Sequence, residues 1–348
     1  MQSDIEQCSE MLRSGSRTFH AASLVFPRRY REPAFAVYAF CRVADDAIDV
    51  SDDPTAALDD LRARLDSIFR RRPIANPADR SFAAVIEHFA IPRALPEALL
   101  EGFQWDAENR CYETLDDLID YAVRVAGTVG GMMTLLMERR DPAIVARAID
   151  LGVAMQLTNI ARDVGEDARA GRLYLPLSWL RETGIDPDRF MADPTFDGNL
   201  GAVIRRLLEA AEIFYLRAEK GIAFLPAGCR PAIAAARVLY AEIGREVERN
   251  KFDSVSRRAV VSSRRKVLRA AGIGHVALAL APARGPGVEP LPQAMFLIDA
   301  IVSHSRPRTG TEQRNTSVPW WNFTERAIGL IELLERVERR QRLKRANS

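Results

Sequence analysis

The sequence predicts an all-α protein. Apolar residues recur at steps of three and four residues through most of the chain, which is the period of an amphipathic helix. The sequence contains no convincing hairpin signal and no alternating run of β-branched residues. Prolines fall mostly between the periodic segments, where they separate one helix from the next.

The helical period defines a series of segments in chain order. Each has apolar residues on one face, as expected for helices that pack around a core. The segments cover residues 33–50, 55–70, 81–90, 114–137, 142–166, 201–224, 230–248 and 264–280. The chain has 348 residues, of which 47% are hydrophobic, so it can fill a sizeable core.

The character of the sequence changes towards the C-terminus. The stretch APARGPGVEPLPQ, residues 281–293, is a linker rich in proline and glycine that does not continue a helix. A short apolar segment over 294–302 follows, then a polar loop and a basic amphipathic helix over about 324–345. We therefore predict one helical domain over residues 1–280, followed by a C-terminal extension over residues 281–348.

Composition narrows the classes of function. The formal net charge is +2 and the basic residues are spread along the chain, so we expect no nucleic-acid partner. The first residues, MQSDIEQCSEMLRSGSR, are polar and acidic, unlike a signal peptide, and no apolar run is long enough for a spanning helix. Four scattered cysteines without zinc-type spacing indicate reduced thiols. We expect a cytoplasmic protein, whose oligomeric state the sequence leaves open.

Two aspartate pairs with the same spacing are the strongest functional signal. Asp45 and Asp49 lie in CRVADDAIDV, and Asp163 and Asp167 lie in NIARDVGEDARAGR. Four residues are about one helical turn, so each pair places two carboxylates on one helix face, where like charges are destabilising. Beside apolar segments, uncompensated carboxylates are also costly to bury. Mg²⁺ bound by these oxygens and by a diphosphate would resolve both problems.

The residues around each pair strengthen this interpretation. One aspartate pair alone is weak evidence for a metal site, because 47 acidic residues in 348 give about six pairs with this spacing by chance. Asn159 extends the second pair to a stripe of oxygen ligands, and Arg42 and Arg162 supply guanidinium groups suited to phosphate. The alternative is two solvated acidic helix faces with arginine partners. Whether Asp46 and Glu166 join the ligands is left open by the sequence, and for Asp46 the alternative is a pair with arginine.

Four ordered stretches resemble the squalene/phytoene synthases, which join two isoprenoid diphosphates head to head. They read SGSRTFHAASLVFP, YAFCRVADDAID, LIDYAVRVAGTVGGMM and AMQLTNIARDVGEDARAGRLYLP. The resemblance runs from about Ser14 to about Lys266, most of the chain. It implies an isoprenoid-synthase-type helical domain with a central cavity, which we expect over residues 1–280.

The resemblance also implies a reaction. Within the family it is greatest to members that condense two geranylgeranyl diphosphates through prephytoene diphosphate to phytoene, the first committed step of carotenoid biosynthesis. It implies Mg²⁺ as cofactor, or Mn²⁺ in its place, and no NADPH. An enzyme that makes squalene or dehydrosqualene from farnesyl diphosphate is the alternative, because sequence does not report the depth of the pocket. A non-catalytic helical scaffold is the second alternative, although all four aspartates are present.

Carried over residue by residue, the resemblance implies individual roles. It implies that Mg²⁺ and diphosphate contact the four aspartates and Asn159. The other implied catalytic and substrate-binding positions are Tyr38, Tyr240, Ser16, Thr18, Phe19, Arg42, Gln156 and Arg162. The family usually has serine at the position of Thr18, and threonine keeps the hydroxyl. A core aromatic residue is the alternative for each tyrosine.

Two further features have open alternatives. Gly127, Gly130 and Gly131 each weaken a helix by up to about 1 kcal/mol. Either close helix packing or a kink that opens room for a prenyl chain would explain them, and we favour the kink. Arg257, Arg258 and Lys266 either reach a phosphate or form a solvated basic face.

The predicted tail helix also admits two interpretations. A basic amphipathic helix can lie on an anionic membrane, here at the inner face. Its glutamates at 325, 332, 335 and 338 fit equally a solvated helix packed on the domain. Peripheral membrane contact is therefore one of two expectations for this segment.

Overall fold

The chain is helical and contains no strand in the part that the structure describes. The computed structural model describes residues 2–15, 23, 25–49, 51–74, 76–262, 265 and 287–304, without the side chains of residues 2, 15 and 49. The helices are α1 (Gln2–Gly15), α2 (Arg28–Asp49), α3 (Pro54–Phe69), α4 (Pro77–Phe89), α5 (Ala94–Ala107), α6 (Leu115–Ala122), α7 (Thr128–Leu136), α8 (Pro142–Arg169), α9 (Leu177–Glu182), α10 (Pro187–Ala192), α11 (Gly198–Ile222), α12 (Arg230–Arg249) and α13 (Met295–Ser303). The predicted all-α class is confirmed.

Several helices begin with the same local signal. Asp53, Asn76, Asp141 and Asp186 each accept a hydrogen bond from a backbone N–H of the first turn, and each is followed by proline. The side chain satisfies an N–H that has no partner within the helix, and proline at the first position has no N–H to satisfy. These caps fix where α3, α4, α8 and α10 begin.

The predicted segments agree with most helices, and the differences have local causes. Pro33 was expected to start a segment, but α2 begins at Arg28 and runs through it. Helix α5 lies where no segment was predicted. Its Pro96 is in the first turn, where a missing N–H costs little, so there proline does not end the helix. The predicted segment 264–280 lies outside the described residues, apart from residue 265.

Helix α8 is the central element of the fold. It packs against α7, α11 and α12, and most of its residues are buried. In the described part of the chain it is the one helix long and apolar enough to cross a membrane by length and composition. Since 67% of its most apolar window is buried inside the protein, a core helix explains this composition.

The glycine-rich stretch combines a π-helical turn with close helix packing. Residues Val123–Gly127 form the π turn that joins α6 to α7. A Cβ on Gly130 would lie 2.2 Å from the Ala148 carbonyl oxygen of α8. A Cβ on Gly152 of α8 would lie 2.3 Å from the Ala126 carbonyl oxygen. The contact is therefore reciprocal, and glycine on both helices lets their backbones approach.

Part of the predicted C-terminal extension packs on the helical domain. Leu297, Ile298 and Ile301 of α13 are almost fully buried, and the helix contacts α5, α7 and α8. Arg140 donates hydrogen bonds to the carbonyl oxygens of Phe89 at 2.7 Å and Ile301 at 3.3 Å. The segment 287–304 therefore shares the core of the preceding helices. The predicted tail helix lies outside the described residues.

The reciprocal glycine contact predicts the effect of one methyl group. Gly152→Ala should destabilise the protein by about 1–3 kcal/mol, because overpacking outweighs the gain of up to about 1 kcal/mol in helix propensity. Gly198→Ala is the matched control, since a Cβ there meets nothing within 4 Å. Urea unfolding of both variants measures the difference. Equal free energies of unfolding would contradict the packing argument.

Candidate active site

A cavity of about 850 Å³ lies among the helices. Residues of α2, α7, α8, α11 and α12, together with the π turn, contribute to its walls. One face of α8 lines it along most of the helix, from Ile144 to Asp167. The site is therefore built on helices that the core packing holds in place.

The cavity is charged at one end, and apolar residues predominate towards the other. On α2, Arg42 and Asp45 near the helix C-terminus line it, whereas Ala34 and Val37 line it nearer the N-terminus. Helix α8 shows the same polarity along its length. Its cavity-lining residues are Ile144, Arg147, Ala148, Leu151, Gly152, Met155, Gln156, Asn159, Ile160, Arg162, Asp163 and Asp167. We call the end formed by Asp45, Asp163 and Asp167 the mouth, and the opposite end the floor.

The first aspartate pair lies at the end of α2. Arg42 lies 3.3 Å from Asp45 and 2.6 Å from Asp46, so one guanidinium contacts both carboxylates. Asp45 lines the cavity, and its side chain is 41% exposed. Asp46 pairs with arginine, which was one of its two predicted interpretations. Asp49 is the last residue of α2, and its side chain lies outside the described residues.

The second pair lies on α8, on another wall of the cavity. Asn159, Asp163 and Asp167 all line it, as their spacing along one helix face requires. Arg162 and Arg258 both bind the Asp163 carboxylate, with Arg258 Nε 2.8 Å from Oδ1. Burial, together with the neighbouring Asp163, raises the pKa of Asp167 to about 7. Asp167 is thus a carboxyl group whose charge is poorly compensated.

A segment after α12 brings Arg258 to this carboxylate. The Gly165 N–H donates to the Ser254 carbonyl oxygen at 3.0 Å, and a Cβ on Gly165 would lie 2.6 Å from Val255 Cα. Glycine in the aspartate motif therefore lets the segment lie against α8. Of the basic residues with open roles, Arg258 contacts the motif, while Arg257 is 3.9 Å from Asp253 and 60% exposed. Lys266 lies outside the described residues.

Several predicted polar residues line the cavity together. Tyr38 on α2 and Tyr240 on α12 both face it, as does Gln156 on α8. Burial raises the pKa of Tyr38 to about 12, against the opposing effect of Arg42, so its hydroxyl is neutral at physiological pH. Ser16, Thr18 and Phe19 lie outside the described residues.

Three cavity residues had no role assigned from the sequence. The hydroxyls of Tyr121 and Tyr174 donate to the two oxygens of Asp106, at 2.9 Å and 2.7 Å. The two tyrosine rings stack with their centroids 5.2 Å apart, and all three residues line the cavity. Both tyrosines lie inside stretches that carry the family resemblance. Asp106 lies outside those stretches, so only the fold reveals the cluster.

Sequence comparison with known proteins identifies the family that this chain resembles. The model of the squalene/phytoene synthase family matches residues 12–266. A phytoene synthase of Cereibacter sphaeroides is 48% identical over 99% of this chain and 98% of its own length. A phytoene synthase of Rhodobacter capsulatus is 51% identical over 86% of this chain and 90% of its own length.

Solved structures show the same fold. A dehydrosqualene synthase in complex with a ligand superposes with a TM-score of 0.74 at 32% identity, covering 80% of this chain and 98% of that one. The squalene synthase HpnC from Alicyclobacillus acidocaldarius gives a TM-score of 0.65 at 26% identity, covering 72% of this chain and 95% of that one. This chain therefore belongs to the squalene/phytoene synthase family of prenyltransferases.

Proposed function

We propose that this enzyme condenses two molecules of geranylgeranyl diphosphate head to head to phytoene, the first committed step of carotenoid biosynthesis. The observation that carries the proposal is that Asp45, Asp163 and Asp167 all line one cavity of about 850 Å³, whose other lining residues are mostly apolar. Carboxylates at the mouth suit a metal-bound diphosphate, and the apolar depth suits a prenyl chain. The relatives named phytoene synthase, at 48% and 51% identity, support this product.

The acidic residues fit Mg²⁺ by the chemistry of the donor set. In the described part of the chain no three His, Cys, Asp or Glu side chains are grouped to hold a metal by themselves. Asp45, Asp163, Asp167 and the amide oxygen of Asn159 would instead share Mg²⁺ with diphosphate oxygens. The raised pKa of Asp167 supports this assignment, because a bound cation would compensate its charge. When bound, Mg²⁺ neutralises the leaving diphosphate without a proton transfer.

The arginines at the mouth complete the proposed diphosphate site. Arg42, Arg162, Arg172 and Arg258 all line the cavity. Guanidinium groups donate two parallel hydrogen bonds to phosphate, which orients it as well as binding it. The family resemblance implies that Ser16, Thr18 and Phe19 close over the same diphosphates.

The apolar interior of the cavity would protect from water the carbocations that form when diphosphate leaves. Loss of diphosphate from one substrate and attack by the double bond of the other give cyclopropyl prephytoene diphosphate and a proton. Loss of the second diphosphate, rearrangement and loss of another proton give phytoene, so no reductant is consumed. Apolar walls exclude water from these cations. The oxygens of Tyr121 and Tyr174, whose protons point to Asp106, supply electron density that stabilises positive charge.

A dehydrosqualene synthase activity on farnesyl diphosphate is the second candidate. It is favoured by the likeness to the dehydrosqualene synthase structure, at a TM-score of 0.74. The two candidates share the mouth chemistry and differ in the length of chain that the cavity admits. Incubation with each prenyl diphosphate and Mg²⁺, followed by identification of the hydrocarbon, tests the proposal. A C30 hydrocarbon from farnesyl diphosphate, with no product from geranylgeranyl diphosphate, would contradict it.

Replacing Asp167 should change activity and stability in opposite directions. Asp167→Asn should lower turnover by about 100-fold or more, because a ligand of the leaving group's cation is lost. Metal-free variant protein should nevertheless melt higher than wild type at pH 8. The pKa of Asp167 in the folded protein, about 7, exceeds its usual 3.8, so this group's contribution to stability falls as pH rises between these values.

Melting curves from pH 4 to pH 8, with and without Mg²⁺, measure this effect. Mg²⁺ should raise the melting temperature of wild type more than that of Asp167→Asn. Asp60→Asn, at an exposed position on α3, is the matched control and should change neither activity nor melting. Near-normal turnover by Asp167→Asn, or by wild type in excess chelator, would contradict the metal site.

The reductant provides an independent test. Phytoene formation needs no hydride, so omitting NADPH should change neither the rate nor the product. Gas chromatography of the hydrocarbon, with and without NADPH, measures this. A switch to squalene on adding NADPH would reassign the enzyme to the alternative within the family.

We also propose that the tail helix predicted over about 324–345 contacts an anionic membrane surface, since product and substrate chains are both apolar. Each cation near the surface contributes about 1 kcal/mol. Deleting residues 324–348 should weaken binding to vesicles containing anionic lipid, in a salt-sensitive way, with activity in detergent retained. Vesicle sedimentation measures the binding. Unchanged binding of the truncated enzyme would exclude the tail as the anchor, and unfolding would place the helix in the core.

A further inference from the structure

The floor of the cavity lies far from the mouth along α8. Arg147 and Ile144 are the cavity-lining residues nearest the N-terminus of this helix. Sixteen residues separate Arg147 from Asp163, which corresponds to about 24 Å of helix. A prenyl chain whose diphosphate lies at the mouth would therefore extend towards Arg147.

An arginine at this depth is unusual, and its partners explain it. Arg147 is 1% exposed, and its Nε lies 2.8 Å from Asp150 Oδ2, which is also within 3.1 Å of Arg217 Nε. Its terminal nitrogens donate to the carbonyl oxygens of Val288 at 2.8 Å and Glu289 at 3.3 Å. A buried charge is tolerated when it is paired and hydrogen-bonded in this way. The guanidinium is thereby held between α8 and the segment 287–304.

The opposite side of Arg147 is equally constrained. A Cβ on Gly221 of α11 would lie 2.4 Å from Arg147 Cβ and 2.9 Å from its Cγ. Gly221 and its neighbour Ile222 line the same part of the cavity. The methylene stem of Arg147 is thus packed against α11 while its head group is bonded on the other side. Neither end of the side chain can move without losing contacts.

We propose that Arg147 closes the floor of the cavity and limits the length of the prenyl chain that the enzyme accepts. This inference rests on the proposed function, because it concerns the substrate of that reaction. The bonds to Asp150 and to the 288–289 carbonyls hold the side chain across the floor. Gly221 supplies the space for its stem. Arg147 is therefore a specificity-determining residue that lies outside the diphosphate site.

Two variants should change chain length in opposite directions. Arg147→Ala shortens the side chain at the floor, and Asp150 keeps Arg217 as its partner. It should raise the use of C25 relative to C20 diphosphate by about tenfold. Gly221→Ala pushes the stem of Arg147 into the cavity. It should lower the use of C20 relative to C15 diphosphate by about the same factor.

The test is competition between equimolar C15, C20 and C25 prenyl diphosphates, using full-length protein with Mg²⁺ and identifying the hydrocarbons. Arg140→Ala is the matched control. It removes a partly buried arginine that also donates to backbone carbonyls, including one in α13, but Arg140 does not line the cavity. Its product ratio should equal that of wild type even if its melting temperature falls.

The outcomes separate the two proposals. If wild type is active and the ratios of both variants are unchanged, the inference fails and the proposed function stands. If Arg147→Ala does not fold, an unchanged ratio in Gly221→Ala overturns the inference by itself. An Arg140→Ala ratio shifted like that of Arg147→Ala would also overturn it, because loosening of the C-terminal segment would then explain both. If wild type uses none of the three diphosphates, both proposals fail.

Discussion

The close contact between α8 and the stretch 123–136 is the constraint on which the cavity depends. Gly130 and Gly152 let the two backbones meet at distances that any Cβ would prevent. Beside this contact, Val125 and Ala126 of the π turn and Val129 of α7 line the cavity. A wall of backbone and small side chains leaves space that ordinary helix packing would fill.

Helix α8 extends from the charged end of the site to its apolar interior. Of the residues that line the cavity, α8 contributes carboxylates in its C-terminal half and mostly apolar residues, with Arg147, in its N-terminal half, and α2 repeats this polarity. Because the two helices bring their acidic ends to one mouth, charge is concentrated where a diphosphate would bind. The remainder of the cavity stays largely apolar. A reaction that begins with ionisation and continues through carbocations needs this separation.

Charged side chains away from the mouth serve the architecture. Arg147 and Arg140 both donate to backbone carbonyls of the segment 287–304, and both thereby attach it to the helical domain. Arg64 and Asp79 make a buried bidentate pair between α3 and α4. Each guanidinium contacts two or more oxygen atoms, which lowers the cost of burying its charge.

The sequence by itself determined the helical class, the family and most helix positions, because these follow from local signals: apolar period, Asx–Pro caps and motifs of fixed spacing. It also identified Asp45, Asp163, Asp167 and their neighbours, since residues four apart share a helix face. The cluster of Asp106 with Tyr121 and Tyr174, and the floor at Arg147, required the tertiary structure. Apart from Asp150, which lies on the same helix as Arg147, their partners lie 15 to 142 residues away in the chain, and no local pattern encodes such contacts.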